Sequence, residues 1–183
     1  AYRRPVPELP DVELYCRALR QRVVGATLEG VRLASPFVLR SVDPPLREAY
    51  GATVIGIERI GKRIVFALSG DLFLIVHLMI AGRFRWKKHG EKIPGKLGLA
   101  GFDFSTGTLL FTEASKRKRA SIHLVRGREA LDGHDPGGVD VYALDVAGFH
   151  AALTEENHTV KRTLTDPRVF SGIGNAYSDE ILH

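Results

Sequence analysis

The chain has 183 residues, 44% of them hydrophobic, with a formal net charge of +5; this allows one large domain or two small ones around a packed core, and tilts the chain toward a polyanionic partner. No run approaches the ~18 apolar residues of a membrane span, and the opening AYRRPVPELPDVE lacks the apolar stretch of a secretory signal. The single cysteine, Cys16, excludes an internal disulfide or a cysteine-based zinc site within this chain, and a reducing cytoplasm is the expected compartment.

Pro10 and Asp11 lead into VELYCRALRQRVV, where Val12, Leu14, Tyr15, Ala18, Leu19, Val23 and Val24 form a helical stripe that Gly25 ends. A first helix is predicted over 11–23. From Ala26 to about Val125 the pattern is β: ATLEGVRLA, TVIGIERIG, RIVFALSG, LFLIVHLMIAG, GLAGFDFS, TLLFTEA and SIHLVRG are short runs of strand-forming residues. Turn signals such as Ser69-Gly70-Asp71 and Ser105-Thr106-Gly107 separate them, which predicts an antiparallel sandwich or barrel. Lys87 to Gly98, with Gly90, Pro94 and Gly95, is read as a mobile loop. GHDPGGVD, Gly133 to Asp140, is the clearest boundary, and the pattern then turns helical in VAGFHAAL, TVKRTLTD and SGIGNAYSDEILH. The last segment stops at His183 in mid-helix, so the natural protein is expected to continue. The expected organisation is residues 1–133 as helix and sandwich, 134–143 as linker, and 144–183 as the start of a helical domain.

Five segments carry candidate chemistry. In PELPDVE, Pro7 and Pro10 stiffen the approach to the helix and Asp11 caps it; taken alone, Glu8 reads as a solvated surface charge. Lys62 alone reads as a strand-edge lysine, and His77 as a satisfied histidine ending a buried strand. Lys116, Arg117, Lys118 and Arg119 form a basic run suited to phosphate, and Arg83, Arg85, Lys87 and Lys88 surround Trp86. In GIGN, Gly172 and Gly174 let backbone N–H groups approach a ligand, and the helix N-terminus that follows favours an anion.

In order and spacing these segments resemble the formamidopyrimidine-DNA glycosylase / endonuclease VIII family. The strongest likenesses are PELPDVE before an amphipathic helix and the run from Lys161 through Glu180, which resembles a helix–two-turn–helix motif. The resemblance implies an α+β fold: an N-terminal helix plus antiparallel β-sandwich, followed by a partial helix–two-turn–helix domain. It implies a base-excision-repair DNA glycosylase/AP lyase that removes oxidised or ring-opened bases. Pro7 would be the nucleophile, attacking the sugar C1′ and forming an imine; Glu8 would protonate the ring oxygen; Lys62 would contact phosphate and assist elimination. His77, Lys161 and Asn175 would hold DNA phosphates, Ile80 would fill the gap left by the flipped base, and Lys116 with its neighbours would bind phosphate. The implied partner is double-stranded DNA containing damaged bases or abasic sites, bound by a monomer in the cytoplasm and nucleoid. No cofactor or metal is expected within these residues; zinc is expected only in a C-terminal finger beyond residue 183. The residue types suit this chemistry, because an α-amino group titrates near pH 8, far below lysine's ~10.4.

Three features depart from the family pattern. The family wedge is a methionine two residues after the His-Leu pair, where this chain has Ile80, with Met79 one place earlier. The arginine and phenylalanine that probe the opposing base give way to Ser115 and the basic run. Residues Ala1 to Val6 precede Pro7, and an internal proline has a tertiary amide nitrogen that cannot form an imine. Translation from Val6, removal by processing, or loss of the nucleophile would each account for this, the first being preferred. Two rival readings follow: a catalytically impaired lesion-binding homologue with a blocked proline, and a β-rich RNA-binding module that would need Trp86, Phe84 and Phe102 exposed on a sheet face.

Overall fold

A computed structural model describes residues 6–183. Residues 1–5 of the sequence ahead of Pro7 lie outside the described residues. Helix α1 spans Leu9–Val23, two residues earlier than the stripe predicted. Pro10 sits inside the first turn, where an N–H has no helical partner to lose. Glu8 is the N-cap, and its backbone N–H donates to Asp11 Oδ2 at 3.0 Å. Val12, Cys16, Leu19 and Val23 form the buried face.

Eight strands follow: β1 (Thr27–Leu33), β2 (Ala52–Ile60), β3 (Arg63–Leu68), β4 (Leu72–His77), β5 (Gly82–Lys87), β6 (Gly98–Phe104), β7 (Gly107–Glu113) and β8 (Ser121–Arg126). Their order is β5-β7-β6-β1-β2-β3-β4-β8. Only Thr27↔Thr53 and Leu28↔Ala52 link β1 to β2, so the sheet folds there into two layers of four strands. Side-chain alternation fills the space between them. Ile64, Phe66 and Leu68 of β3 and Leu72, Leu74 and Val76 of β4 face Phe102 and Phe104 of β6, with α1 packed into the same core. Phe66 stacks at 6.1 Å on Phe102 and 5.8 Å on Phe104, across the two layers.

LFLIVHLMIAG, read as one strand, is a strand and a turn. β4 ends at His77, Leu78 to Ala81 turn, and β5 begins at Gly82, a strand the sequence reading missed. The Gly82 N–H donates to the Leu78 carbonyl at 2.9 Å, and a Cβ on Gly82 would lie 2.2 Å from that same oxygen. The loop after β5 makes two contacts with β1: His89 meets Glu29 at 2.6 Å, and Arg32 donates to the Glu91 carbonyl at 2.8 Å.

The outward face of β3, β4 and β8 has two halves. Val65, Ala67, Phe73 and Ile75 are covered by Leu131 of α2 (Arg128–Asp132), a short helix absent from the sequence reading. Arg63, His77, Ser121 and His123 continue the same face: Arg63 pairs with His77, His77 with Ser121, and Ile75 with His123.

Beyond the boundary segment, β9 (Val139–Asp140) pairs in parallel with β10 (Phe170–Ser171). Helices α3 (Val146–Thr154), α4 (Val160–Thr165) and α5 (Asn175–Leu182) surround a separate small core of Leu164, Phe170 and Ile173. Arg59 fastens this part to the sandwich, donating to Asp140 at 2.7 Å, Glu13 at 3.3 Å and Ser171 at 3.4 Å.

Candidate active site

A cleft of about 300 Å³ opens where the sandwich meets the helical segment. Pro7, Lys62, Arg63, His77, Met79 and Ile80 line it from the sandwich side, and Thr165, Gly172 and Ile173 from the other. Lys62 lies in the two-residue turn of the β2–β3 hairpin, His77 at the end of β4, and Pro7 just ahead of α1. Residues far apart in sequence therefore converge because α1, one hairpin and one strand end meet at a single rim.

Glu8 stands directly behind Pro7 and is 1% exposed, so it is not a solvated charge. Its Oε2 accepts N–H bonds from Gly174 at 2.8 Å and Tyr177 at 3.1 Å, and its Oε1 accepts one from Ala176 at 2.9 Å. A carboxylate thus occupies the N-terminus of α5, where helical N–H groups lack partners and the dipole favours negative charge. A Cβ on Gly174 would lie 2.5 Å from Glu8 Oε1 and 2.6 Å from Lys62 Nζ. The GIGN turn thus gathers the protein's own glutamate, where the sequence suggested a ligand anion. Gly172, at φ +89°, presses on Leu9, whose N–H donates to the Gly172 carbonyl at 3.0 Å.

Burial pulls the Lys62 ammonium below the ordinary lysine range, while the Glu8 carboxylate opposes that shift. His77 is pushed down to about 4, first by burial and then by Arg63, Lys62 and His123. Near neutral pH it is an uncharged imidazole that can donate one hydrogen bond and accept another. Because its folded pKa lies below the unfolded value near 6.5, the stability it contributes is complete above pH 6.5 and is lost as pH falls toward 4. The urea midpoint of the wild type is expected to drop over that window. His77→Asn should remove about 2 kcal/mol of the drop, allowing for partial exposure. His123 and His134, also shifted down, retain the remainder.

Ile80 is 52% exposed at the tip of the β4–β5 turn, on the cleft rim. Met79 has φ 55°, a left-handed backbone that costs a non-glycine residue about 1–2 kcal/mol. It lines the cleft and also a second groove with Arg40, Arg117, Lys118, Arg119, Ser121 and His123. Lys116 is exposed but lines neither cavity. Buried Glu113, which the sequence reading passed over, shapes this loop by accepting the Arg119 N–H at 3.1 Å and the Ala120 N–H at 3.3 Å.

Lys161 on α4 and Asn175, the first residue of α5, are exposed and flank the cleft without lining it. Lys161 pairs with Asp179 at 2.5 Å. Tyr177 and Ile181 are 40% and 52% exposed; Ser178 is the buried residue of that helix. Phe84 and Phe102 are buried in the core, which removes the aromatic sheet face an RNA-binding module would need. Among the described residues no three His, Cys, Asp or Glu side chains form a group that could hold a metal ion. No helix among them is long and apolar enough to cross a membrane.

This fold and site define a β-sandwich protein with a proline–glutamate cleft closed by a glycine turn and helix N-terminus. Residues 6–127 match the sequence model of the formamidopyrimidine-DNA glycosylase N-terminal domain, and the chain belongs to that family. It is 30% identical to the formamidopyrimidine-DNA glycosylase of Mycoplasma genitalium, across 97% of this chain and 63% of that protein. It is 34% identical to that of Enterococcus faecalis, across 97% of this chain and 64% of the relative. Among solved structures, the Lactococcus lactis Fpg in complex with DNA containing an abasic site superposes with a TM-score of 0.83 at 26% identity, over 96% of this chain and 66% of that one. The same protein bound to Fapy-dG DNA, as a T221P mutant, gives a TM-score of 0.84 at 27% identity, over 96% of this chain and 66% of that one. The chain thus spans a little under two thirds of the relatives it matches.

Proposed function

We propose that this protein is a base-excision-repair DNA glycosylase/AP lyase acting on double-stranded DNA with an oxidised or ring-opened base or an abasic site. The observation that carries this reading is the convergence of Pro7, Lys62, His77 and Ile80 on one cleft with Glu8 held behind Pro7. In this reading the Pro7 amine attacks the sugar C1′ and the damaged base leaves. Glu8 takes up the proton that Pro7 loses and hands it to the ring oxygen as the C1′–O4′ bond breaks, and the iminium so formed sets up elimination of the 3′ phosphate. Glu8 Oε1 accepts a single N–H and shares the space beside Gly174 with Lys62 Nζ, a geometry suited to moving a proton. Lys62 supplies positive charge beside the sugar, and His77 donates a hydrogen bond to a phosphate from its neutral ring.

Ile80 fills the space left by the extruded nucleotide, and Lys116, Lys161 and Asn175 hold backbone phosphates. Lys161 exchanges Asp179 for a phosphate when DNA binds. Residues 1–133 form the catalytic unit, 134–143 the linker, and 144–183 the start of the DNA-binding helical unit. The protein works as a cytoplasmic monomer on nucleoid DNA, and a zinc finger beyond residue 183 adds further contacts. No step assigned to these residues runs through a metal.

Imine formation requires Pro7 to carry the first nitrogen of the chain. Borohydride trapping on DNA with an abasic site tests this directly. Protein beginning at Pro7 is expected to give a covalent adduct, and protein retaining Val6 and the residues before it none. A failure of the Pro7-initiated protein to trap refutes the lyase assignment. The tertiary amide of Pro7 in this sequence favours a second reading, a lesion-binding homologue that does not cut. It predicts tight binding without strand cleavage even after residues 1–6 are removed.

A further inference from the structure

The half of the outward β3–β4–β8 face left uncovered by α2 joins the cleft to the basic groove. Arg63 and His77 line the cleft; Ser121 and His123 line the groove; the strand register places the four side by side. His134, from the segment after α2, packs edge-on against His123 with ring centroids 4.8 Å apart. The patch is rich in N–H donors and poor in acceptors.

Arg63 is its centre. It is half-buried, yet among the described residues its guanidinium has no hydrogen-bond acceptor and no ion-pair partner. The acid that acts on it is Asp135, from beyond ion-pairing distance, and burial outweighs it. A half-buried guanidinium offers five donors in a planar fork, and leaving them without an anion is costly. Contrast Arg59, equally placed at a strand end, which is saturated by Asp140, Glu13 and the Gly61 carbonyl.

We propose that Arg63, flanked by His77 and His123, is a binding site for one DNA phosphodiester lying between the cleft and the basic groove. The planar fork matches a phosphate bidentately, and the imidazoles supply lateral N–H donors. Arg40, Arg117 and Arg119 of the groove extend the positive path away from the cleft, and among the described residues none of the three has an ion-pair partner. This site rests on the DNA-repair reading and adds Arg63 and His123, which lie outside the glycosylase pattern, to the phosphate-binding surface beside His77.

The test is fluorescence anisotropy with a duplex carrying an abasic-site analogue, over a salt series, with undamaged duplex in parallel. Arg63→Gln is expected to weaken binding about tenfold, the loss of one charge-assisted contact. It should also lower the slope of log affinity against log salt by about one. Arg63→Lys should restore the slope with part of the affinity. Lys92→Gln removes the same charge from the loop at the other end of β5 from the Met79 turn, and should change neither. Thermal melts establish that each variant is folded. Wild-type slope and affinity in folded Arg63→Gln, with lesion preference intact, overturn the phosphate site and leave the repair reading standing. Loss of lesion preference in the wild type overturns the repair reading, while a lowered slope in Arg63→Gln on undamaged duplex would still support the phosphate site. No binding of either duplex overturns both.

Discussion

Glu8→Gln is expected to slow base release about 100- to 10,000-fold, the range over which a positioned proton donor or acceptor contributes. The amide cannot shuttle a proton, and its NH₂ faces donors where an acceptor is needed. Three backbone N–H groups converge on the carboxylate, from Gly174, Ala176 and Tyr177. In Glu8→Ala all three lose their acceptor and the negative charge at the α5 N-terminus disappears. Hydrogen bonds to charged groups contribute roughly 1.5–3 kcal/mol each, but partial rehydration of the exposed Ala176 and Tyr177 limits the sum. A net loss of about 3 kcal/mol is therefore expected. Single-turnover glycosylase assays read the first effect and urea unfolding the second. Comparing the two variants separates them: Gln keeps the side-chain volume and loses mainly rate, whereas Ala loses both. Wild-type turnover in folded Glu8→Gln would remove Glu8 from the chemistry.

Gly174→Ala is expected to be nearly as damaging, although its φ of −121° is open to any residue. The obstacle is space, since the added methyl would meet Glu8 Oε1 at 2.5 Å and Lys62 Nζ at 2.6 Å. Lys62 can swing its flexible chain aside. Glu8 cannot, because the helix N-terminus holds both its oxygens. Either the carboxylate leaves its donors or the turn withdraws from α1, and both separate Glu8 from Lys62. We expect a loss of about 2 kcal/mol in stability, in the range for overpacking a tight site, and a rate at least about 100-fold lower. The 3.0 Å bond from the Leu9 N–H to the Gly172 carbonyl gives a structural readout: amide exchange at Leu9 should accelerate if the turn withdraws. Unchanged rate and unchanged exchange would mean that the turn does not position Glu8.

The sequence by itself determined the strand runs, the first helix and the family pattern, because alternation and helical stripes report which face of each element is buried. Order and spacing grouped Pro7, Glu8, Lys62 and His77 into one expected site, and the fold brings Pro7, Lys62 and His77 to one cleft. The sequence did not reveal that LFLIVHLMIAG is a strand followed by a turn into β5. A continuous apolar run hides a turn whose backbone is set by Met79 at φ 55° and by the tight contact of Gly82 with Leu78. Nor did it reveal α2, whose five residues are too few for a helical stripe.

Tertiary structure alone decided the state of Glu8. As sequence it is one acid in a proline-rich approach; in the fold it is the buried anion of a helix that begins more than 160 residues later in the chain. It decided Arg63 in the same way, since an arginine at a strand start has no local signature until its neighbours fail to provide an acceptor. Local pattern fixes which residues face inward, whereas the environment of a charge depends on what long-range packing brings beside it.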